Sequence, residues 1–275
     1  MNDLPEAAPT LRVAAVQMIS SGDVNANLGV AAPLIAQAAI EGARLIVLPE
    51  YFGIFGERAT DKVAVRERDG DGPQQSFLAE EARRHRVWLV GGTVPLACED
   101  PARVRSACLV YGPDGERVAR YDKIHLFSFV RGEERYDEGR TIEPGTAPGT
   151  FDAPCGRVGL SICYDVRFPE LYRGLGELAL ILVPAAFTAT TGAAHWQLLL
   201  RARAVENQCY VLAAAQGGLH PNGRRTYGHS MLIDPWGEIV AELDEGPGVV
   251  AGDVEMARLG HVRTELPALA HRVLR

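Results

Sequence analysis

The chain has 275 residues, of which 47% are hydrophobic, and its formal net charge at pH 7 is −7. An acidic chain lacks the basic footprint that nucleic acids and anionic membranes require, so neither is expected as a partner. The longest uninterrupted apolar run, residues 178–187, is too short to span a bilayer and contains a proline.

The N-terminal residues and the cysteines predict the compartment. Residues 1–10 (MNDLPEAAPT) have neither a basic flank nor an apolar core, so no secretory signal is expected. The cysteines are scattered and odd in number, and they form neither a disulfide framework nor a CxxC metal pair. They are Cys98, Cys108, Cys155, Cys163 and Cys209. We therefore expect a soluble, cytoplasmic protein with reduced thiols.

Strand-like and helix-like patterns alternate along the first half of the chain. Strands are predicted over residues 11–18, 43–50 and 87–96. Helices are predicted over residues 25–42, ending at Gly42, and over residues 73–86, opening at a proline. The turn sequence Pro113-Asp114-Gly115 predicts an antiparallel pair of strands around it. This alternation is typical of strands joined by crossover helices.

The same order recurs in the second half. Strands are predicted over residues 157–163, 178–187 and 209–216, a helix over 194–208, and a second strand pair around Pro235-Trp236-Gly237. Matching 157–163 with 12–18, and 178–187 with 45–52, aligns Pro184 with Pro49. We interpret this as two similar halves whose sheets pack face to face with helices outside. An accidental likeness of two α/β halves is the alternative.

Two residues with reactive side chains lie at predicted strand ends. Cys163 closes the first strand of the second half, and Glu50 closes the second strand of the first half. In open α/β sheets, ligands gather beyond the carboxyl ends of strands. Both side chains are therefore candidates for a site.

The surroundings of Cys163 favour a nucleophile over a small core residue. A free thiol is only about 3% thiolate at pH 7, so a nucleophilic cysteine needs a base and an oxyanion site. The chain turns polar at Tyr164 and Asp165, and Pro169 predicts a helix that begins at 169–170. A strand-end cysteine before a helix resembles a nucleophile elbow, in which the Tyr164 N–H would face the oxyanion.

Glu50 and Lys123 are candidates for the base and the cation. The apolar, aromatic sequence after Glu50 would desolvate its carboxylate and raise its pKa. The alternative for Glu50 is an exit to solvent, and for Lys123 an exposed ion pair with Asp122. The apolar run that follows Lys123 favours a buried lysine instead.

A Cys–His dyad is the weaker alternative. His125, His195 and His229 lie in segments that can be buried, but their flanks do not match those of papain-like or caspase cysteines. The sequence contains no HExxH, EF-hand, Walker or dinucleotide-binding pattern. We therefore predict neither a metal nor an organic cofactor.

Three segments together resemble the nitrilase superfamily of carbon–nitrogen hydrolases: LPEYF (48–52), YDKIHLF (121–127) and CYDVRFPELY (163–172). The resemblance implies a four-layer α-β-β-α sandwich in a single domain over 1–275, with a core at about 11–253. It also implies Glu50 as general base, Lys123 as oxyanion stabiliser and Cys163 as nucleophile.

The resemblance implies further site residues. A second catalytic glutamate is expected at Glu138, although Glu133 and Glu134 are neighbouring alternatives. Arg167 is expected either to meet a substrate carboxylate or to brace the site, and an ion pair with Glu170 is the structural alternative. The full set expected to bind the substrate or the oxyanion is Tyr164, Arg167, Phe127, Phe187, Thr188 and His195.

Within the superfamily, residues 194–216 and 227–238 look like the deaminated-glutathione amidase branch. The resemblance implies hydrolysis of a small acidic linear amide through a thioester. Alternatives are an ω-amidase acting on α-ketoglutaramate, from which the loop 128–139 departs, or another amide, nitrile or carbamoyl hydrolase. A non-catalytic scaffold would not need all three catalytic residues. The resemblance also implies a homodimer or a higher homo-oligomer, with the segment 254–275 at the interface.

Overall fold

The computed structural model describes residues 9–274. In chain order the strands are β1 (Thr10–Gln17), β2 (Leu45–Val47), β3 (Trp88–Val90), β4 (Val94–Ala97), β5 (Val104–Tyr111), β6 (Arg117–Asp122), β7 (Ser128–Arg131), β8 (Glu134–Asp137), β9 (Gly149–Ala153), β10 (Gly156–Leu160), β11 (Leu180–Ala185), β12 (Tyr210–Ala215), β13 (Gly217–Leu219), β14 (Arg225–Tyr227), β15 (Met231–Ile233), β16 (Ile239–Glu242) and β17 (Gly248–Glu255). The α-helices are α1 (Val24–Ile40), α2 (Asp61–Ala64), α3 (Pro73–His85), α4 (Pro169–Gly174), α5 (Ala189–Asn207) and α6 (Met256–Glu265). Two 3₁₀ turns span Glu138–Arg140 and Cys163–Arg167.

The two large sheets have the same central arrangement. The first has the strand order β17-β1-β2-β3-β5-β4, with β6 also paired to β5, and the second has the order β16-β15-β12-β11-β10-β9. Each is built on three adjacent parallel strands, β1-β2-β3 and β10-β11-β12, flanked by antiparallel neighbours. Helices connect these strands in both halves. The prediction of two similar halves is confirmed.

Successive side chains of β1 belong alternately to two different cores, which shows how the layers form. Val13 and Ala15 belong to the core between the sheets, whereas Ala14 and Val16 belong to the core beneath the helices α1 and α3. Successive side chains of a strand point to opposite faces, so a strand buried on both sides is apolar throughout. On the second sheet, Trp196 of α5 packs into the core from outside. The molecule is therefore the predicted α-β-β-α sandwich.

The predicted strand over 87–96 is wrong as a single element, because it breaks between β3 and β4. Gly92 has φ +40°, and a Cβ atom there would lie 1.9 Å from the carbonyl oxygen of Pro49. Only glycine tolerates this close approach of two backbones. The hydroxyl of Thr93 then accepts a 2.8 Å hydrogen bond from the Tyr51 N–H. The break therefore supports the loop that carries Glu50.

Two further predicted boundaries move. The strand predicted to reach residue 163 ends at Leu160, and a 3₁₀ turn starting at Cys163 precedes the helix that begins at Pro169. The helix predicted over 194–208 begins earlier, at Ala189, because the Thr188 side chain accepts a hydrogen bond from Thr191 N–H and caps it. Both boundaries bring polar groups to the ends of the second sheet.

The C-terminal helix α6 packs on its own chain. Leu259 and Val262 are buried, and Arg263 donates hydrogen bonds to the carbonyl oxygens of Leu178 and Gln208. Over residues 9–274, no helix combines the length and apolarity needed to cross a membrane.

Candidate active site

The strand predicted to end at Glu50 ends at Val47, so Glu50 lies in the loop just beyond β2. Its side chain is 1% exposed, and its backbone carbonyl accepts a 3.0 Å hydrogen bond from the Gln216 amide of the other half. The following residue, Tyr51, has φ +59°, a conformation that directs the chain sharply away from the sheet. Glu50 is therefore not an exit to solvent but a carboxylate held between the two halves.

Lys123 follows the last residue of β6 and is completely buried. Its backbone N–H donates to Ser106, and its carbonyl accepts from Gly145, each near 3 Å. The expected alternative, an exposed pair with Asp122, does not form, because Asp122 pairs with Arg120. A buried ammonium requires charged partners, since desolvating an unpaired charge is costly.

Two carboxylates supply those partners. The Lys123 ammonium lies 2.7 Å from Glu50 Oε1 and 2.7 Å from Glu138 Oε2. Glu138 also accepts 2.7 Å hydrogen bonds from the Phe127 N–H and the Tyr51 hydroxyl. The lysine therefore bridges two carboxylates, and Glu138 is fixed independently on its other side.

The neighbouring glutamates occupy different positions. Glu133 and Glu134 line the same cavity as Glu138, but Glu134 accepts its hydrogen bond from Thr190. Lys123 bonds to Glu138 and not to either alternative within the described chain. Geometry therefore favours Glu138 as the second carboxylate of the cluster.

Cys163 lies at the first residue of its 3₁₀ turn, with φ +50°. A non-glycine residue in this region costs on the order of 1–3 kcal/mol, which the surrounding structure must offset. The residue is 7% exposed and lines the cavity, and Glu50, Lys123 and Glu138 lie close enough to shift the pKa of its thiol. The strained turn thus presents the sulfur beside the carboxylate.

The electrostatics of the cluster give each group a distinct protonation state. Burial raises the pKa of Glu50, although Lys123 opposes the shift, and burial raises the pKa of Cys163 well above its ordinary value. Burial also opposes the charge of Lys123, but Glu138 and Glu50 hold its pKa well above the ordinary range. For Glu138, burial is the largest single influence and raises the pKa, but the Lys123 ammonium and the hydrogen bonds from Phe127 and Tyr51 together outweigh it and lower the pKa. At neutral pH the sulfur is therefore a thiol that needs a base.

Asp165 is a functional residue that the sequence reasoning missed. It is fully buried, and its carboxylate accepts from the Ile162 N–H at 2.8 Å and the Tyr121 hydroxyl at 2.7 Å. Its other oxygen accepts from the backbone N–H of His125 and lies 2.7 Å from the His125 ring nitrogen. Asp165 therefore joins the Cys163 turn to the segment that carries Lys123. The signal was an aspartate two residues after the cysteine.

The expected substrate-binding residues separate into two groups. Phe127 and Thr188 line the cavity. Arg167 instead lies over the rings of Tyr164 and Phe187 and 3.2 Å from the ring nitrogen of His195. Tyr164, Phe187 and His195 thus surround Arg167 beside the Cys163 turn, and the alternative ion pair of Arg167 with Glu170 is not formed within the described residues. Their roles toward substrate stay predictions.

The histidines considered for a dyad have other partners. His125 pairs with Asp165 and stacks on Phe168 with a ring-centroid separation of 3.7 Å. His229 bonds to Glu242, and His195 contacts Arg167. These contacts favour the glutamate over a histidine as the base for the sulfur.

The cluster opens into a cavity of about 710 Å³. Glu50, Glu138 and Cys163 lie in its wall together with Tyr51 and Phe55. This volume is in the range of small-molecule sites. A buried base, a buried cation and a thiol around one cavity can together attack and stabilise a carbonyl group.

Comparison with known proteins agrees with this arrangement. Residues 12–264 match the carbon–nitrogen hydrolase family. A deaminated glutathione amidase of Synechocystis sp. (strain PCC 6803 / GT-S) is 43% identical over 94% of this chain and 97% of its own length. Omega-amidase NIT2 of Homo sapiens is 36% identical, covering 96% of this chain and 95% of that protein.

A solved structure shows the same fold. The crystal structure of Saccharomyces cerevisiae Nit3, a member of branch 10 of the nitrilase superfamily, superposes with a TM-score of 0.84. The two chains are 31% identical, and the match covers 95% of this chain and 96% of Nit3. The chain therefore belongs to the carbon–nitrogen hydrolase family of the nitrilase superfamily and is a hydrolase of carbon–nitrogen bonds.

Proposed function

We propose that the protein is an amidase in which Cys163 attacks the amide carbonyl of a small acidic substrate. The observation that carries this proposal is the Lys123 ammonium, 2.7 Å from both Glu50 and Glu138, whose carboxylates line the same cavity as the thiol. A lysine held by two carboxylates is fixed in place before the substrate arrives. Such preorganised charge is the main source of catalysis in acyl transfer.

In acylation, Glu50 takes the Cys163 proton as the sulfur forms a bond with the carbonyl carbon. The Lys123 ammonium and the Tyr164 N–H stabilise the negative oxygen of the tetrahedral intermediate. Glu50 then gives the proton to the amide nitrogen, the carbon–nitrogen bond breaks, and the amine leaves. A thioester on Cys163 remains, and Glu50 is again a carboxylate. The raised pKa of Glu50 suits a group that both accepts and donates a proton near neutral pH.

In deacylation, Glu50 takes a proton from water as the water oxygen attacks the thioester carbon. Lys123 stabilises the second oxyanion. Collapse breaks the carbon–sulfur bond, the acid product leaves, and the Glu50 proton returns to the sulfur. Glu138 does not touch the reacting atoms in this scheme, because its carboxylate holds Lys123 and is itself held by Tyr51 and Phe127. It acts as a positioning residue.

We propose deaminated glutathione as the substrate. The relatives named deaminated glutathione amidase, from Synechocystis and from Yersinia enterocolitica, are 43% and 40% identical to this chain. Hydrolysis of this compound gives α-ketoglutarate and a dipeptide amine, so the site must accommodate groups on both sides of the scissile bond. A cavity of about 710 Å³ supports a substrate of this length.

The alternative is an ω-amidase reaction on α-ketoglutaramate, supported by the 36% identity with human omega-amidase NIT2. The two substrates share their acyl part and differ only in the leaving amine. Both reactions release α-ketoglutarate, but only α-ketoglutaramate releases ammonia.

The test is to measure α-ketoglutarate release from each compound with the purified protein, alongside a nitrile and a carbamoyl amino acid. We expect the highest kcat/KM with deaminated glutathione. A higher kcat/KM with α-ketoglutaramate would replace the proposed substrate by the alternative, and turnover of only the nitrile or the carbamoyl compound would contradict both.

We further propose that the chain acts as a single domain over residues 1–275, in the cytoplasm and as a homodimer with residues 254–275 at the interface. The five cysteines are all free in the described chain, which suits a reducing compartment. Sedimentation equilibrium of the whole protein, compared with a variant shortened after Glu255, tests the interface. A monomeric whole protein would contradict it.

A further inference from the structure

Lys62 is a cation in the cavity wall with no carboxylate partner among residues 9–274. It belongs to α2, its ammonium lies 5.4 Å from the centre of the Tyr51 ring, and its one hydrogen bond is a 3.4 Å contact with Thr141. Burial lowers the pKa of Lys62, and the charges of Glu138 and Glu50 oppose this shift only in part.

A second cation faces the same cavity. Arg224, in the turn between β13 and β14, lies over the rings of Tyr136 and Phe55, with its guanidinium 4.8 and 5.3 Å from their centres. It forms no ion pair in the described part of the chain, and its charge is among those that lower the pKa of Lys62. Rings on which a guanidinium stacks fix its plane and leave its N–H edges available for a carboxylate.

No acidic residue of the described cavity wall forms an ion pair with either cation, and the charges of Glu138 and Glu50 offset the burial of Lys62 only in part. Glu57, Glu133 and Asp137 are exposed at the rim, and none of them lies within ion-pair distance of Lys62 or Arg224. By contrast, Arg58 of the same wall is paired with Asp61. Lys62 and Arg224 are thus two cations of the described wall whose charges remain available.

The positions of Lys62 and Arg224 suit contact with the leaving amine of the substrate rather than with its acyl part. The acyl group stays bonded to Cys163, whose turn carries its own cation, Arg167. Lys62 and Arg224 come from other elements, and Arg224 is exposed at the cavity mouth. A leaving amine that extends toward the mouth can depart while the acyl group stays on Cys163.

We propose that Lys62 and Arg224 form a subsite for the terminal carboxylate of the leaving amine, which makes them specificity-determining residues. This inference rests on the proposed amidase function. Deaminated glutathione carries such a carboxylate on its terminal glycine, whereas α-ketoglutaramate, whose leaving group is ammonia, has none there. The subsite therefore selects amides whose amine portion is acidic.

The test measures binding without turnover. Calorimetry on the Cys163→Ala protein compares deaminated glutathione with the same compound whose glycine carboxylate is a carboxamide. We expect the carboxylate form to bind about ten- to hundred-fold more tightly, as for a hydrogen bond to a charged group. Adding Lys62→Met or Arg224→Met should remove most of this ratio, and Lys62→Arg should retain most of it.

Arg66→Met is the matched control, because it removes one positive charge from an exposed arginine near α2 outside the cavity wall. It should keep the ratio of the Cys163→Ala protein. Equal binding of the carboxylate and carboxamide forms, or an unchanged ratio in Lys62→Met and Arg224→Met, would overturn the subsite, as would a failure to bind either compound.

Turnover by the wild-type protein separates the two proposals. If the wild type does not hydrolyse deaminated glutathione but the binding ratio depends on Lys62 and Arg224, the proposed substrate fails and the subsite stands. If hydrolysis occurs and the ratio is independent of both residues, the substrate stands and the subsite fails.

Discussion

The Tyr121 hydroxyl donates a 2.7 Å hydrogen bond to the buried carboxylate of Asp165. Tyr121 lies two residues before Lys123, and Asp165 lies two residues after Cys163. This bond therefore ties the cation of the site to its sulfur across 44 residues of chain. The relative position of the two catalytic groups depends on it.

Replacing Asp165 by asparagine should destabilise the protein and weaken catalysis. One carboxylate oxygen becomes an N–H₂ group facing donors, so at least one buried donor loses its acceptor. We expect the free energy of unfolding to fall by about 3 kcal/mol, measured by urea denaturation. Tyr121→Phe, which removes one donor, should cost about 1 kcal/mol. An Asp165→Asn protein as stable and active as the wild type would refute the bracing role.

Lys123→Met should lose both activity and stability. Removing one oxyanion donor typically lowers kcat by about 10²–10³-fold. Removing one partner of a buried ion pair costs about 3–5 kcal/mol, because Glu50 and Glu138 are left buried without a cation.

The stability loss of Lys123→Met should depend on pH with a definite sign. Without the ammonium, the two carboxylates have folded-state pKa values above their unfolded ones. The penalty is therefore present at neutral pH and disappears as the pH falls through those raised values. Urea unfolding at neutral and at acidic pH measures this loss. Arg66→Met, at an exposed residue without an ion pair, is the control and is expected to stay within about 0.5 kcal/mol of the wild type.

In the pH profile of kcat/KM, the acid limb should have an apparent pKa above the ordinary glutamate pKa of 4.5. Protonated Glu50 cannot accept the thiol proton, so activity rises with pH through the raised pKa of Glu50. Glu138→Gln removes a negative charge that contributes to this rise, so the limb should move to lower pH in the residual activity. Glu133→Gln should leave the limb in place. A limb that moves to higher pH in Glu138→Gln would contradict the assignment of Glu50.

Cys163→Ala should abolish turnover while the protein remains folded. Loss of a nucleophile costs on the order of 10⁶ in kcat in a well-studied serine protease. Cys163 belongs to the core cluster but also lines the cavity, and alanine removes only its sulfur atom, so the thermal midpoint should stay close to that of the wild type. Release of α-ketoglutarate and circular dichroism measure the two effects. Wild-type turnover in the variant would disprove the thioester mechanism.

Cys163 should be alkylated by iodoacetamide faster than the other thiols in a Cys98→Ser background. Cys108 and Cys209 are buried away from the cavity, and burial raises the pKa of each to about 12. Cys163 also has a raised pKa, but it faces the cavity beside Glu50, which can take its proton. Glu50→Gln should therefore slow its labelling. Equal, slow labelling of all thiols, measured by mass spectrometry, would favour a non-catalytic scaffold.

Local sequence patterns were sufficient to find the two halves and the three central catalytic candidates. A continuous apolar run identifies β1, and glycine and proline positions mark the turns that follow predicted elements, because these signals act over a few residues. Boundaries failed where a distant contact decided them. The break after β3 depends on the approach of Gly92 to the carbonyl of Pro49, which the local pattern does not contain.

By itself, the sequence determined which residues can react: a thiol at Cys163 and a carboxylate at Glu50, each at the end of a predicted strand, and an ammonium at Lys123 before an apolar run. Only the tertiary structure decided how they combine. Lys123 meets Glu50 across 73 residues, Glu138 is distinguished from Glu133 and Glu134 by contact with that ammonium, and Asp165 acquires its partners only when the two segments meet. The physical reason is that charge pairing and desolvation depend on distance in space, which residue spacing along the chain does not specify.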